Sequence, residues 1–354
     1  MKKLLRTLLA TFMLLNLCAA NSYAAPKLGY YDILGNWYGQ YTGNSDYKNV
    51  ERYMNMTVTD CDNKGNFEGE AKVTTVEGQG YDYQWFNYKF KGEMDLENNT
   101  FYMKGYKITD TYSGGNWTMI PFNGTFKYND SGELYVEGNA DNDSDRKFYF
   151  GRVSEWAKNE ITEANMYELI PETLKKKDLS KQVTRAEFAA ISVQLYEKLT
   201  GIEAEPTSTP FTDISGNEDF VSIEKAFAVG ITDGVSETKF APNDSITREQ
   251  LATMLCRTVK AYSFPDWSLA NDSDYFLDTS GVKIFADDSF ISDYAKPSVY
   301  YMTKFGIIKG IDETHFAPRN TTAQQEAEGY ATATREQAIA LSLRIFKSSE
   351  LWKN

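Results

Sequence analysis

Three arginines, each directly preceded by a threonine, are the side chains of this sequence best suited to binding a ligand. They are Arg185, in Thr-Arg-Ala-Glu, and Arg248 and Arg335, both in Thr-Arg-Glu-Gln. A guanidinium is a planar fork of donors that matches a carboxylate, and the start of a helix adds backbone donors. The pattern predicts a site for an acidic ligand; a structural ion pair for each arginine is the alternative.

The residues after each threonine predict an amphipathic helix. Apolar side chains recur at helical spacing, and a threonine hydroxyl can accept a bond from a free backbone amide of the first turn. Acidic residues in that first turn favour the positive end of the helix dipole. The residues concerned are Phe188, Ile191 and Leu195 in the first copy, Leu251, Met254 and Leu255 in the second, and the acidic Glu187, Glu249 and Glu336.

Three further elements precede the last two threonines in the same order. They are Phe-x-Asp, Gly-Ile-x-x-Gly and Phe-Ala-Pro, found at Phe211–Asp213, Gly230–Gly234 and Phe240–Pro242, and again at Phe285–Asp287, Gly306–Gly310 and Phe316–Pro318. The first copy, which begins near Trp156, lacks the first two elements. The third contains an insertion, Thr321 to Tyr330. The order indicates an internal repeat.

This repeat resembles the S-layer homology domain, the cell-wall anchoring module of bacterial surface proteins. The resemblance covers about Ser154 to Phe346, as repeats at 153–202, 209–264 and 283–348. It implies an all-α half in which three repeats form a pseudo-threefold prism. The grooves of such a prism hold a secondary cell-wall polymer, often bearing acidic ketal-pyruvate groups.

The same resemblance implies which residues bind that polymer. It adds to the arginines the aspartates of Phe-x-Asp, an aromatic residue of the first helix and a glycine of Gly-Ile. The matching residues are Arg185, Arg248, Arg335, Asp213, Asp287, Trp156, Tyr294, Gly230 and Gly306. Repeat two has Phe220 near the aromatic place, and repeat one has Leu169 where the glycine would fall. We therefore expect one weak groove, with Arg185 the arginine that matters least.

Residues 25–152 predict an antiparallel all-β domain, a barrel or a sandwich of about eight strands. Aromatic residues alternate there with polar ones, and the segments between them, such as Asp62–Gly65 and Asn129–Gly132, have the composition of hairpin turns. Gly35-Asn36-Trp37 is faintly similar to the first strand of lipocalin- and avidin-like barrels. We interpret Trp37 as a plug at a closed end of the barrel.

The first 24 residues predict a secretory signal peptide. A basic start, a short apolar run and Ser22-Tyr23-Ala24 place the cleavage after Ala24, and no transmembrane segment is expected after it. Lipidation at Cys18 is a weaker alternative. The formal charge of −13 becomes still more negative once the basic signal is removed, which excludes nucleic acid as a partner.

Catalytic chemistry has little support in the sequence. His315 is the only histidine, so a Ser-His-Asp triad, a Cys-His pair or a His-ligated zinc would all depend on it. The run from Asp141 to Asp145 has the spacing of a calcium loop, but Arg146 replaces its glycine. Cys61 and Cys256 are interpreted as buried thiols. We expect no enzyme, no metal and no cofactor.

The sequence thus predicts a secreted protein of the bacterial cell wall or S-layer. Its helical half would attach non-covalently to wall polysaccharide and hold the β domain outward. The alternative is that the β domain binds a small ligand or a glycan, or is an enzyme. A large apolar cavity inside the barrel would favour the alternative, and a core filled with aromatic side chains would favour display.

Overall fold

A computed structural model describes residues 27–43, 50–76, 83–112 and 117–353. The predicted signal peptide, Met1–Ala24, lies outside these residues. Within them, no helix combines the length and the apolar character needed to cross a membrane. The described chain forms an N-terminal barrel followed by a helical half.

The β domain is a closed barrel of eight antiparallel strands, which decides between the two architectures left open by the sequence. Each strand pairs with the next along the chain, and β8 returns to β1. Closure leaves no unpaired strand edge. The strands are β1 Gly35–Gly43, β2 Val50–Cys61, β3 Asn66–Val76, β4 Tyr83–Asp95, β5 Thr100–Thr111, β6 Pro121–Tyr128, β7 Leu134–Ala140 and β8 Lys147–Arg152.

Aromatic and methionine side chains fill the barrel interior. Phe90, Phe122, Phe150, Met54 and Met103 are at most 1% exposed, as expected where alternate residues of every strand point inward. Ring pairs such as Phe122 and Phe148 meet edge-to-face at 5.3 Å, a geometry that the aromatic quadrupole favours. This packing stabilises the barrel through burial of apolar area.

Trp37 closes one end of the barrel. Its side chain is fully buried, and Nε1 donates to the carbonyl of Ile33 at 2.8 Å. The Arg152 guanidinium lies 3.8 Å from the ring centroid and donates to the carbonyl of Leu34 at 2.5 Å. Burial lowers the pKa of Arg152 to about 10. The geometry is that of a plug.

Seven α-helices follow the barrel in the described chain. The helices are α1 Lys158–Met166, α2 Arg185–Thr200, α3 Phe220–Ala228, α4 Arg248–Ser263, α5 Lys296–Lys304, α6 Ala323–Glu328 and α7 Arg335–Lys347. The predicted caps are present on α2, α4 and α7: Thr184, Thr247 and Thr334 each accept a bond from the amide three residues later. That residue, Glu or Gln, bonds back to the threonine amide, which completes a capping box.

The starts of these three helices contact one another in a closed cycle. The Arg185 amide donates to the carbonyl of Asp244 at 2.9 Å, just before α4. The Arg248 amide donates to Ala331 at 3.0 Å, before α7, and the Arg335 amide donates to Lys181 at 2.9 Å, before α2. Each repeat therefore positions the arginine of its neighbour.

The barrel and the helical half are joined by polar contacts across the outer wall of the barrel. The Tyr38 hydroxyl donates to the carbonyl of Leu174 at 3.0 Å. Nδ2 of Asn55 donates to the hydroxyl of Thr162 at 3.1 Å. Because Tyr38 and Asn55 are buried, these bonds lie inside an interface.

Two sequence features take structural places away from the helix starts. Arg146 pairs with Asp141 and Asp143 within the hairpin, so a cation already lies among those carboxylates. Cys61 and Cys256 are free and buried, one in each half of the molecule. Burial raises the pKa of Cys256 to about 11, which keeps its thiol protonated at neutral pH.

Candidate carboxylate-binding grooves at the helix starts

Arg185 and Arg248 reach from the start of one helix to the Phe-Ala-Pro turn of the next repeat. Nε of Arg185 donates to the carbonyl of Phe240 at 2.8 Å, and Nε of Arg248 to that of Phe316 at 2.9 Å. The guanidinium carbons lie 5.0 and 5.1 Å from the same two rings. Burial lowers the pKa of both side chains. Within the described chain, neither has a carboxylate oxygen within 4.0 Å, although Arg185 is only 4% exposed.

Arg335 differs because its fork is already paired. Nη1 donates to both carboxylate oxygens of Glu133, at 2.7 and 2.9 Å, and to the carbonyl of Asp178 at 2.9 Å. Nε and Nη2 pair with Glu187 at 3.0 and 2.8 Å. Burial alone would lower the pKa of Arg335, but these ion pairs raise it overall. The arginine joins the barrel to the helical half.

The predicted binding aspartates hold the Phe-Ala-Pro turns. Asp213 accepts the first two amides of the turn Phe240–Pro242, both at 3.0 Å. Asp287 accepts the same two amides of the turn Phe316–Pro318, at 2.9 and 2.8 Å. The alanine in each turn has a positive φ, 59° and 57°, which costs about 1–2 kcal/mol for a residue with a Cβ. The aspartates stabilise this conformation, and so position the carbonyl that each arginine binds.

A cavity of about 490 Å³ beside Arg185, named here the Arg185 groove, brings residues of three repeats together. Its walls include Arg185 of repeat one, Thr232–Glu237 of repeat two and Tyr294 of repeat three. Arg257 also lines it and pairs with Asp233 through two bonds, at 2.8 and 3.1 Å. Arg185 is therefore the cation of this groove that lacks an acidic partner.

The equivalent surface around Arg248, named the Arg248 groove, carries more positive charge. Nη2 of Arg248 donates to the carbonyl of Lys309 at 2.6 Å, and Nη1 of Arg344 to that of Ile307 at 3.2 Å. Arg344 takes the place on α7 that Arg257 has on α4. Lys309 stands where the Arg185 groove has the acidic Asp233. The Arg248 groove thus has cationic residues at all three of these positions.

Trp156 and Tyr294, the predicted aromatic contacts, are both exposed, and Tyr294 lines the Arg185 groove. Their exposed fractions are 49% and 56%. The serine two residues before each donates its amide to the glutamate after an arginine, Glu336 for Trp156 and Glu249 for Tyr294, at 2.9 and 2.8 Å. A hydrogen bond also links Trp156 to Glu336. Exposed rings held in this way offer flat faces to a sugar.

The two predicted glycines are not equally open. A Cβ on Gly306 would meet no atom within 4 Å, whereas one on Gly230 would meet the Trp267 ring at 3.1 Å. Trp267 is only 7% exposed, so it packs over Gly230 as part of the structure. Close approach of a ligand to the backbone is therefore open at Gly306 and obstructed at Gly230.

The equivalence assumed for repeat one is wrong by one residue. The Leu169 amide bonds five residues back, as the amides of Ile231 and Ile307 do in the other repeats. Leu169 therefore corresponds to the isoleucine, and Glu168, with φ of 56°, takes the place of the glycine. Turn geometry preserves the positive φ there without the glycine that would favour it.

The aromatic place of repeat two also needs correction. The interval from Trp156 to Leu169 in repeat one equals the interval from Tyr294 to Ile307 in repeat three. Counted back from Ile231 in repeat two, the same interval leads to Glu218 and not to Phe220. Glu218 pairs with Lys177, so this position carries a charge in place of a ring.

These irregular elements belong to the groove of Arg335. Repeat one lies against Arg335 through the carbonyls of Asp178 and Lys181, whereas Arg185 lies against repeat two. The premise for expecting Arg185 to matter least is therefore wrong. The closed groove is the one around Arg335.

Sequence reasoning missed Asp233, Arg257, Lys309 and Arg344. Arg257 and Arg344 share one position of the repeat, the same interval after Thr247 and Thr334, so alignment of the two helices could have found them. Glu133 left no such signal, because its partner is 202 residues away in the chain.

Comparison with known proteins matches the helical half to one family model. The S-layer homology domain model matches residues 210–252 and 285–327. The chain contains S-layer homology domains. The matched segments carry Asp213, Arg248 and Asp287, whereas repeat one is not part of either match.

Proteins similar to the S-layer homology region include enzymes and an anchoring protein. An exoglucanase XynX of Acetivibrio thermocellus is 34% identical over 149 residues, 42% of this chain and 12% of the relative. A cellulosome-anchoring protein of the same species is 32% identical over 106 residues, 30% and 23% respectively. An amylopullulanase of Thermoanaerobacterium thermosulfurigenes is 32% identical over 149 residues, 42% and 7%. The chain spans less than a quarter of the length of each of these relatives. The S-layer homology domains indicate association with the cell surface.

Proposed function

We propose that this protein attaches non-covalently to an acidic secondary cell-wall polymer and displays its barrel at the cell surface. The observation that supports it is the unpaired state of the Arg185 and Arg248 forks. Each lies where repeats meet, and the exposed ring of Tyr294 lines the Arg185 groove. A carboxylate such as a ketal-pyruvate would receive two parallel hydrogen bonds from either fork.

The proposal includes a third S-layer homology repeat at 153–202, beside those at 209–264 and 283–348. The three would form a pseudo-threefold prism. In its support, the helix starts contact one another in a closed cycle, and repeat one supplies the threonine-capped α2. Residues 1–24 would direct secretion, and 25–152 would be the displayed domain.

We assign the polymer contacts to two grooves. The Arg185 groove would use Arg185 and Tyr294, and the Arg248 groove would use Arg248, Trp156 and Gly306. Asp213 and Asp287 would act as positioning residues, since both carboxylate oxygens of each are bonded to backbone amides.

Display, without a reaction or a small ligand, is the role we propose for the barrel. Its interior is filled with aromatic and methionine side chains. A lipocalin-like binder would need a large apolar cavity in that place. The enzymatic relatives match only the anchoring region, so their reactions give no reason to propose one here.

Sedimentation of the mature chain with purified wall sacculi tests this proposal. We expect the protein to co-sediment with untreated sacculi and to stay in the supernatant once acid extraction has removed the secondary polymer. Adding the extracted polymer back in solution should compete for the protein. Equal sedimentation with extracted sacculi would overturn the assignment of the polymer as ligand.

A further inference from the structure

Four largely buried charged side chains, with the half-exposed Glu218 at the edge, form a cluster at Arg335 that joins the barrel to all three repeats. Lys177, Glu187 and Arg335 are 5%, 3% and 5% exposed. Nζ of Lys177 donates to Glu187 at 2.9 Å and also pairs with Glu218. Glu133 supplies another carboxylate, through its two bonds to Arg335. Within the buried part, two cations thus face two carboxylates, and Glu218 adds a third carboxylate at the solvent edge.

The same place is built differently in the other two repeats. The backbone amide after Arg185 donates to the carbonyl of Pro242, and the one after Arg335 donates to the carbonyl of Leu179. Pro242 and Leu179 are therefore equivalent positions. Two residues earlier, Phe240 corresponds to Lys177. Arg185 therefore lies over an uncharged ring with its fork open, whereas Arg335 lies beside a paired lysine. An acidic ligand at Arg335 would have to displace Glu133 or Glu187, which already satisfy the fork.

The Glu133 carboxylate comes from the turn between β6 and β7. The turn is fixed on repeat one from several sides: Oε2 of Glu133 accepts the amide of Asp178 at 3.0 Å, and Nδ2 of Asn129 donates to the carbonyl of Lys176 at 3.3 Å. The Leu179 amide donates to the backbone carbonyl of Arg152, in β8, at 3.0 Å. Glu133 is therefore held in place by contacts other than those it makes with Arg335.

We infer that the groove of Arg335 is a docking socket for the barrel, in which Glu133 takes the place that an acidic ligand takes in the other two grooves. The protein then binds polymer at two sites and holds its barrel in one orientation relative to the wall. The count of two sites rests on the proposed function; the docking of Glu133 does not.

Calorimetric titration tests the number of polymer-binding sites per chain. The probe is a synthetic hexosamine glycoside carrying a pyruvyl ketal, with the same glycoside lacking the ketal as control. We expect two sites per full chain for the ketal probe, with Arg185→Ala and Arg248→Ala each removing one. Three sites would overturn the inference and leave the proposed function standing. No binding of the probe, together with no sedimentation with sacculi, would overturn the proposed function and the count.

Thermal unfolding tests the socket without any ligand. Glu133→Gln keeps the shape of the side chain and removes its charge, and we expect the melting temperature to fall by about 5 °C or more. The double variant Glu133→Gln with Arg335→Gln should lower the melting temperature little more than the larger single change does. The reason is that each single change already breaks the contact between Glu133 and Arg335. If Arg335→Gln fails to fold, the Glu133→Gln result decides alone.

A different ion pair, which joins the barrel to repeat one, provides the matched control. Lys176 and Glu137 lie 2.7 Å apart, with side chains 48% and 27% exposed. Glu137→Gln and Lys176→Gln should each shift the melting temperature by no more than about 1 °C, since exposed pairs contribute little. An equal response of the two pairs, or no loss with Glu133→Gln, would show that Glu133 is not docked in a socket.

Discussion

Nη1 of Arg335 donates to both carboxylate oxygens of Glu133, at 2.7 and 2.9 Å, and so ties the last threonine-capped helix to a turn of the barrel. Arg185 and Arg248 occupy the same position of the repeat with their forks open. One sequence motif therefore has two uses in this chain. Two copies have no carboxylate partner within the described chain, although Arg185 is only 4% exposed, and the third forms part of a domain interface.

Replacement of Arg335 should therefore act on stability. Arg335→Ala leaves Glu133 without its cation and Glu187 with Lys177 alone, which we expect to cost about 3–5 kcal/mol in the free energy of unfolding. Urea unfolding followed by circular dichroism measures it. Lys198→Ala, which removes an exposed ion pair with Glu168, is the control and should cost under about 1 kcal/mol. A normal unfolding midpoint for Arg335→Ala would contradict the interface role.

Asp213 should make stability depend on pH. Burial alone would raise the pKa of Asp213, but the amides of Phe240 and Ala241 lower it overall. A carboxyl whose pKa is lower in the folded state contributes stability above its unfolded value, about 3.9. That contribution is lost as the pH falls through the folded pKa.

Asp213→Asn should therefore be less stable than the wild type at pH 7, and the difference should shrink below about pH 4. Urea unfolding of both proteins at a series of pH values measures this. Asp266→Asn, on the exposed loop after α4, serves as control for removal of a carboxylate. A constant difference between wild type and Asp213→Asn down to pH 2 would mean that the turn does not depend on the ionised carboxylate.

Trp156 should contribute to polymer binding and little to folding. The ring is 49% exposed, and the proposed function assigns it to the Arg248 groove. Trp156→Ala should weaken binding of soluble wall polymer by about 1–2 kcal/mol, in the range of aromatic contacts at binding sites. Phe276→Ala removes a ring that is 88% exposed and does not line the Arg185 groove. Equal losses for the two variants in a polymer titration would show that Trp156 has no specific contact.

The antiparallel strands and the repeated helix starts could be predicted from the sequence because both depend on local signals. Alternation of aromatic and polar residues indicated the strands, and hairpin composition separated them. Thr184, Thr247 and Thr334 predicted capped helices, and all three caps are present. Closure into a barrel was not local, since it depends on β8 meeting β1 across the whole domain.

The role of Arg335 could not be predicted, because its partner lies in the other domain. Spacing within the repeat treats Arg335 and Arg248 alike, and only the folded chain brings Glu133 to one of them. The place of Glu168 was missed for a related reason. Its positive φ is imposed by the turn and leaves no glycine to recognise in the sequence.

The central claim is that the Arg185 and Arg248 forks hold an acidic wall polymer, and a titration of soluble polymer into single variants tests it most directly. Arg185→Ala and Arg248→Ala should each lose about 2–5 kcal/mol of binding free energy at the affected groove, with the circular dichroism spectrum unchanged. Arg248→Lys should recover part of the loss, since an ammonium cannot reproduce the planar fork. Lys198→Ala, which removes a charge from α2 outside the grooves, should bind as the wild type does. Wild-type affinity in both arginine variants would contradict the account.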